Sequence, residues 1–211
     1  MIRDAFLTTA RSARDLIAST HTRAAWTQAS ALDQMTVGAL AGHLSRAITL
    51  PLQYLDADPP DTNDNLLTAA EYFSSVGLTF DLNDSVNTQI RERGTAEAEL
   101  GIDALVDRVD ATIAALERRL PSEPAERRLR KSAGQALLLD EYLVTRIVEL
   151  AVHADDLAAS IAIETPSLDP VATACALGCL LQVARDRHGD SAVLRALSRR
   201  ERDSVDALRV F

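Results

Sequence analysis

The chain has 211 residues, of which 47% are hydrophobic and 4% aromatic, and its formal net charge is −9. This length and apolar content suffice for one packed domain or one domain with an appendage, and the negative charge argues against a nucleic-acid partner. The chain opens without the apolar core of a signal peptide and has no apolar run long enough to span a bilayer, so we expect a cytoplasmic protein with no membrane partner.

Hydrophobic spacing predicts helices from the start of the chain. An amphipathic helix is predicted over residues 3–20, and a second one begins at Val37 with Thr36 as its N-cap. Pro51 should kink this second helix or restart it near Leu50, because proline removes a helical hydrogen bond. Residues 57–65 are rich in Pro, Asp and Asn, which predicts a loop.

The middle of the chain is less regular. Residues 66–80 are ambiguous, residues 83–93 and 102–120 are predicted helices, and the segment up to residue 136 is irregular or briefly extended. This segment holds a short basic cluster, Arg127, Arg128, Arg130 and Lys131, which we interpret as a solvated loop face rather than a binding patch. Lys131 is the only lysine of the chain.

Two further helices and a short last one complete the prediction. Asp140 is the expected cap of a helix that ends near residue 160, and Pro170 suits the first position of a helix that ends at His188-Gly189. The predicted fold is all-α: an antiparallel four-helix bundle over residues 1–160, followed by a small helical extension over residues 161–211. The two cysteines, Cys175 and Cys179, are predicted to be reduced thiols of the core.

One helix carries a narrow polar strip on an otherwise apolar surface. Glu149 and His153 stand one turn apart on it, and the residues within about 60° of Glu149 on the helical wheel are Tyr142, Thr145, Arg146, His153 and Asp156. A helix that is apolar nearly all round is mostly buried, so the strip is expected to face an internal cleft. The alternative is an ordinary surface pair of Glu149 and His153.

His43 lies on the apolar face of its own predicted helix, where a histidine is usually hydrogen-bonded within the core. If it meets the other two residues, His43, Glu149 and His153 make a complete set of three ligands for a divalent metal. Asp155 or Asp156 could then accept a hydrogen bond from the second ring nitrogen of a ligand imidazole. The alternative is that both carboxylates are simple surface charges. Arg146 either binds a substrate carboxylate or pairs with a nearby acid.

Two segments resemble a known family. AAWTQASALDQMTVGALAGHL (residues 24–44) and RIVELAVHADDLAAS (residues 146–160) are similar to the two signatures of the mycothiol-dependent maleylpyruvate isomerase family. The resemblance implies a DinB-like four-helix bundle that binds a divalent metal, with zinc expected. It also implies that His43, Glu149 and His153 are the ligands. Homodimers are plausible for this superfamily, although the sequence indicates no interface.

The resemblance also implies a chemistry. The thiol of mycothiol would bind to the metal, lose its proton and add to the conjugated double bond of a small-molecule substrate. Rotation and loss of the thiol would give the trans isomer, and related enzymes would transfer the thiol instead.

The chain departs from the family in its middle region. The family pattern has an arginine before an asparagine that helps to bind the substrate acid, whereas Val86 precedes Asn87 here. Arg91 or Arg93, from the next turn, is a candidate replacement. This departure weakens the specific isomerase assignment and leaves the metal site untouched. Two alternatives to an enzyme are open: a non-catalytic DinB-like module that binds a metal or small ligand, and a helical interaction protein in which the three residues never meet.

Overall fold

The computed structural model describes residues 1–75, 84–132, 134–198 and 208–209, without the side chains of Val86 and Ser132. In chain order its elements are α1 (Ile2–Ala18), α2 (Thr20–Ala25), α3 (Val37–Asp56), β1 (Asn65–Leu67), α4 (Ala69–Ser75), α5 (Ser85–Ala98), α6 (Gly101–Arg119), a 3₁₀ turn (Leu120–Ser122), β2 (Arg128–Ser132), β3 (Gln135–Leu138), α7 (Leu139–Ser160), α8 (Pro170–His188) and α9 (Asp190–Ser198).

The all-α class is confirmed, and four long helices form the bundle. Helices α1, α3, α6 and α7 pack against one another around a core of mainly Leu, Ile, Val and Ala side chains. Helix α8 packs on α7, α4 and α1 and adds small buried side chains to the same core, so the division near residue 160 stays a prediction. No helix in the described ranges is both long and apolar enough to cross a membrane.

The helix termini follow the predicted capping with one exception. The Thr36 hydroxyl accepts from the Ala39 amide at 3.1 Å, Pro170 is at the first turn of α8, and Gly189 ends that helix with a φ of 81°. The prediction that Asp140 caps α7 is wrong, because the helix begins at Leu139 with Leu138 before it. Asp140 lies in the first turn, where the helix dipole favours a carboxylate, and accepts from Arg3 Nε at 2.8 Å.

Pro51 does not restart α3, which is helical from Val37 to Asp56. Proline lacks the amide that would bond to the preceding turn, so the interruption was expected on local grounds. The ring of Pro51 is buried against the bundle, and this packing outweighs the lost hydrogen bond.

The ambiguous and briefly extended segments form a small sheet in the order β1-β3-β2, with β1 parallel and β2 antiparallel to β3. The prediction of a solvated loop for the basic cluster is therefore wrong. Arg128 donates to the carbonyls of Asp61 and Thr62 at 3.1 and 2.7 Å, and Arg127 donates to that of Leu55 at 2.8 Å. These guanidinium groups tie the sheet to the end of α3 and to the loop after it.

Helices α3 and α5 approach closely at two glycines beside His43. A Cβ on Gly42 would overlap the carbonyl oxygen of Gly94, and a Cβ on Gly94 would lie 2.7 Å from the Ala39 carbonyl oxygen and 3.1 Å from His43 Cβ. Only glycine allows this approach, which places α5 directly over the histidine.

We predict that Gly42→Ala lowers the free energy of unfolding by about 1–3 kcal/mol, because the added methyl forces α3 and α5 apart. Gly178→Ala is the matched control, since a Cβ there meets no atom within 4 Å and alanine favours the helix. Urea denaturation of both variants measures the effect. Equal stability of Gly42→Ala and wild type would contradict the close approach.

Candidate metal centre

The packing of α3 on α7 brings the three predicted ligand residues together. His43 Nε2 lies 3.1 Å from His153 Nε2 and 3.8 Å from Glu149 Oε2, and His153 Nε2 lies 3.4 Å from the same oxygen. The side chains are 15%, 20% and 23% exposed for His43, His153 and Glu149, so they face a partly closed cleft. The cluster is therefore neither a surface pair nor a lone core histidine.

The spacing of these atoms fits a divalent metal. Zinc bonds nitrogen and oxygen at roughly 2.0–2.2 Å in tetrahedral geometry, which sets two of its ligand atoms about 3.4 Å apart. One ligand atom from each residue can be chosen so that all three lie within 4.8 Å of one another. Two imidazoles and one carboxylate form a donor set of the kind that catalytic zinc sites use. The residues present thus fit the metal that the fold implies.

The electrostatics of the cluster also favour a cation. Burial lowers the pKa of His43 to about 3, with a further contribution from His153. Burial would also lower the pKa of His153, but hydrogen bonds with Asp156 and Glu149 outweigh it and raise that pKa to about 9. For Glu149 burial favours the neutral acid, yet the bond with His153 and the charge of Arg146 lower its pKa. A proton on His153 thus supplies the positive charge that a bound metal ion would otherwise supply.

Asp156 orients one of the two imidazoles. Its Oδ2 lies 2.9 Å from His153 Nδ1, which directs the opposite nitrogen, Nε2, toward the cluster. Asp155 is exposed and instead accepts a bond from Thr165, so it has no part in the cluster. His43 differs, because its Nδ1 is buried without a hydrogen-bond partner among the described residues. Helix α5 instead packs at Gly94 against the Cβ and backbone of His43.

Arg146 lies one turn before Glu149 and is only 5% exposed. Its Nε donates to Thr145 Oγ1 at 3.0 Å, and its Nη2 lies 3.4 Å from the Tyr72 hydroxyl. Among the described residues Arg146 has no ion pair, so the alternative of a direct pair with a nearby acid is not found there, although the charge of Glu149 one turn away interacts with it. The sequence did not indicate Tyr72, because the apolar residues of its segment follow no clear helical or strand spacing. No local pattern relates Tyr72 to Arg146.

The other substrate-binding candidate has a local contact. Arg91 on α5 donates from Nη2 to Thr88 Oγ1 at 3.2 Å, and within the described ranges it forms no hydrogen bond or ion pair with the three ligand candidates. The departure at Val86 falls on α5, but its side chain lies outside the described atoms.

Comparison with known proteins identifies the family. The family model described as "Mycothiol maleylpyruvate isomerase N-terminal domain" matches residues 7–158. The chain belongs to this family. All three ligand candidates and Asp156 lie within the matched range. No curated protein and no solved structure shows a significant match to the chain.

We predict that Asp156→Ala weakens metal binding about 10–100-fold, because His153 loses the contact that fixes its ring. Asp155→Ala removes the same charge one residue away and should leave the affinity unchanged. Competition with a chromophoric zinc chelator at fixed pH measures both. Equal losses for the two variants would indicate a general charge effect and contradict the role of Asp156.

Proposed function

We propose that the protein is a metal-dependent enzyme that uses mycothiol, either as a cis–trans isomerase or as a thiol S-transferase. The observation that carries the proposal is the convergence of His43, Glu149 and His153 from two helices within a family that is named for this thiol. The expected ion is zinc, because two imidazoles and one carboxylate suit it.

The protein side chains have distinct tasks in this proposal. His43, Glu149 and His153 hold the ion and leave it one open position, where it would stabilise the thiolate form of a bound thiol. Asp156 orients His153, and the positive charge of Arg146 keeps Glu149 in its carboxylate form. Helix α5 covers His43 through Gly94 and limits the access of water on that side.

The protein's own thiols do not suit the reaction. Cys175 and Cys179 are unpaired and lie on α8, where burial raises the pKa of both thiols, to about 11 for Cys179. A thiol with a raised pKa is a poor nucleophile near neutral pH, since only its thiolate attacks. The reactive sulfur should therefore come from a small-molecule thiol.

Two reactions are consistent with such a site. A thiolate can add reversibly to a conjugated double bond, allow rotation and leave, which is an isomerisation, or it can stay on an electrophile, which is a transfer. Valine in place of arginine at position 86 removes one substrate contact of the isomerase pattern and weighs toward transfer.

We predict that the purified protein contains about one divalent ion per chain and that His43→Ala loses it, because two ligands hold zinc far more weakly than three. His21→Ala is the matched control, since His21 is exposed on α2 and distant in sequence from the cluster. Elemental analysis after gel filtration measures the metal content. Full occupancy in His43→Ala would overturn the three-ligand assignment.

We also predict that mycothiol gives the cobalt(II)-substituted protein a sulfur-to-cobalt charge-transfer absorption in the near ultraviolet. S-methylated mycothiol is the control, because it has no proton to lose and should give no such band. A cobalt protein that responds to neither mycothiol nor any other low-molecular-weight thiol would contradict the enzyme and favour the non-catalytic metal-binding module.

A further inference from the structure

Helix α8 is apolar on both of its sides, although one side faces solvent. The chain has no charged residue over residues 171–184, which make up most of this helix. The inner side packs on α7, α4 and α1. Its buried residues are Ala172, Ala176, Cys179, Val183 and Ala184. A helix that is apolar all round is normally buried all round, so the outer side of α8 lacks a covering surface in the described part of the chain.

The outer side of α8 carries exposed leucines. Leu177 is 63% exposed and Leu181 is 40% exposed, and their spacing of four places them on the same face of the helix. A Cβ added to Gly178, which lies between them, would meet no atom within 4 Å. Helix α9 packs on α8 and adds two more exposed leucines, Leu194 and Leu197. Leucines exposed together in this way are typical of an interaction surface.

A groove lies beside this strip, between α7 and α8. It has a volume of about 290 Å³, and Leu177 forms part of its wall. Most of its described lining is apolar, and the charged residues in that lining are the acids Asp155 and Asp156. An apolar groove along a helix is the form of surface that receives side chains of a docking helix. The acids indicate that the docking helix carries a positive charge near its contact with the groove.

The charges of this surface differ between its two ends. Residues 147–184 contain no lysine or arginine, and Asp155 and Asp169 lie at the end where α8 begins. Arginines return in the last turn of α8, where the half-exposed Arg185 donates to Asp190 at 2.7 Å. The surface therefore has acids alone at one end and arginine at the other.

Such a surface complements a second copy of itself. A two-fold axis perpendicular to α8 would set two copies of the helix antiparallel, so the last turn of each copy would face the acidic end of the other. Both charge contacts would then form at once. If the last turn, residues 185–188, lies opposite Asp169, the axis passes near Leu177 and Gly178. That point is the middle of the leucine strip, so the charges and the leucines select the same pairing.

We propose that the outer face of α8 pairs with the same face of a second copy of this chain, with leucines in contact and Arg185 of each copy facing Asp155 of the other. Helix α8 lies beyond the range matched by the family model, and the proposal does not depend on the proposed function. A helix of 19 residues is about 28 Å long. A strip of that length gives an interface near the lower size limit, roughly 600 Å² per copy, so the dimer should dissociate at micromolar concentrations.

Sedimentation velocity of the full chain over a concentration series tests the pairing. We expect wild type to change from monomer to dimer between about 1 and 100 μM. Leu177→Glu should raise the dissociation constant about tenfold or more, because the pairing would bury an unmatched carboxylate. Leu100→Glu is the matched control, since Leu100 is 77% exposed and precedes α6. It should leave the dissociation constant unchanged.

A charge reversal tests the pairing without altering a leucine. Arg185→Glu and Asp155→Arg should each weaken the dimer about tenfold, because each places like charges opposite one another. The double variant should restore the dimer, since a two-fold pairing reforms both contacts with the signs exchanged.

Three results would overturn the proposal. They are a wild-type protein that stays monomeric throughout the series, a dimer that Leu177→Glu leaves intact, and a double variant that pairs no better than the single ones. The first result would leave the leucines to another protein or to the end of this chain. Thermal unfolding of every variant confirms that it is folded, since Arg185, Asp155 and Leu177 are all exposed.

Discussion

The packing of α3 against α7 is the contact on which the rest of the structure depends. It buries one imidazole from α3 against a carboxylate and a second imidazole from α7, with their nitrogen and oxygen atoms 3.1 to 3.8 Å apart. Polar groups in such a place are unfavourable unless they bond to one another and to a cation. A shared proton stabilises these groups in part. A divalent ion would stabilise them further, because it would bond to one donor atom from each of the three residues.

Helix α7 combines this cluster with a second polar feature. Tyr142, Arg146, Glu149 and His153 form one row along the helix, and most of its buried residues elsewhere are apolar. Because one rigid helix carries all four residues, their spacing is set by helix geometry rather than by a loop.

Elements that depend on a few neighbouring residues could be predicted from the sequence, and features that depend on tertiary contacts could not. The spacing of apolar residues located α1 and α6, and Thr36, Pro170 and Gly189 marked termini that depend on a few neighbouring residues. Asp140 was misassigned because its partner, Arg3, is distant in sequence, and a restart at Pro51 does not occur because tertiary packing offsets a local defect. The strands could not be predicted with the same clarity, because short extended segments become strands only when they pair with another strand.

At the candidate site, too, local patterns could be predicted and tertiary contacts could not. The helical wheel already placed Asp156, and not Asp155, on the strip with Glu149 and His153, and the family signatures indicated His43 as the third residue. Tyr72 and the glycine contact between α3 and α5 depend on tertiary packing, so no local pattern revealed them.

Anomalous diffraction at the zinc edge, from crystals of the protein as purified, tests the central assignment most directly. We expect one peak within about 2.0–2.2 Å of His43 Nε2, His153 Nε2 and a carboxylate oxygen of Glu149. A peak ligated elsewhere in the chain, or a direct hydrogen bond between the two imidazoles with no ion after zinc soaking, would contradict it.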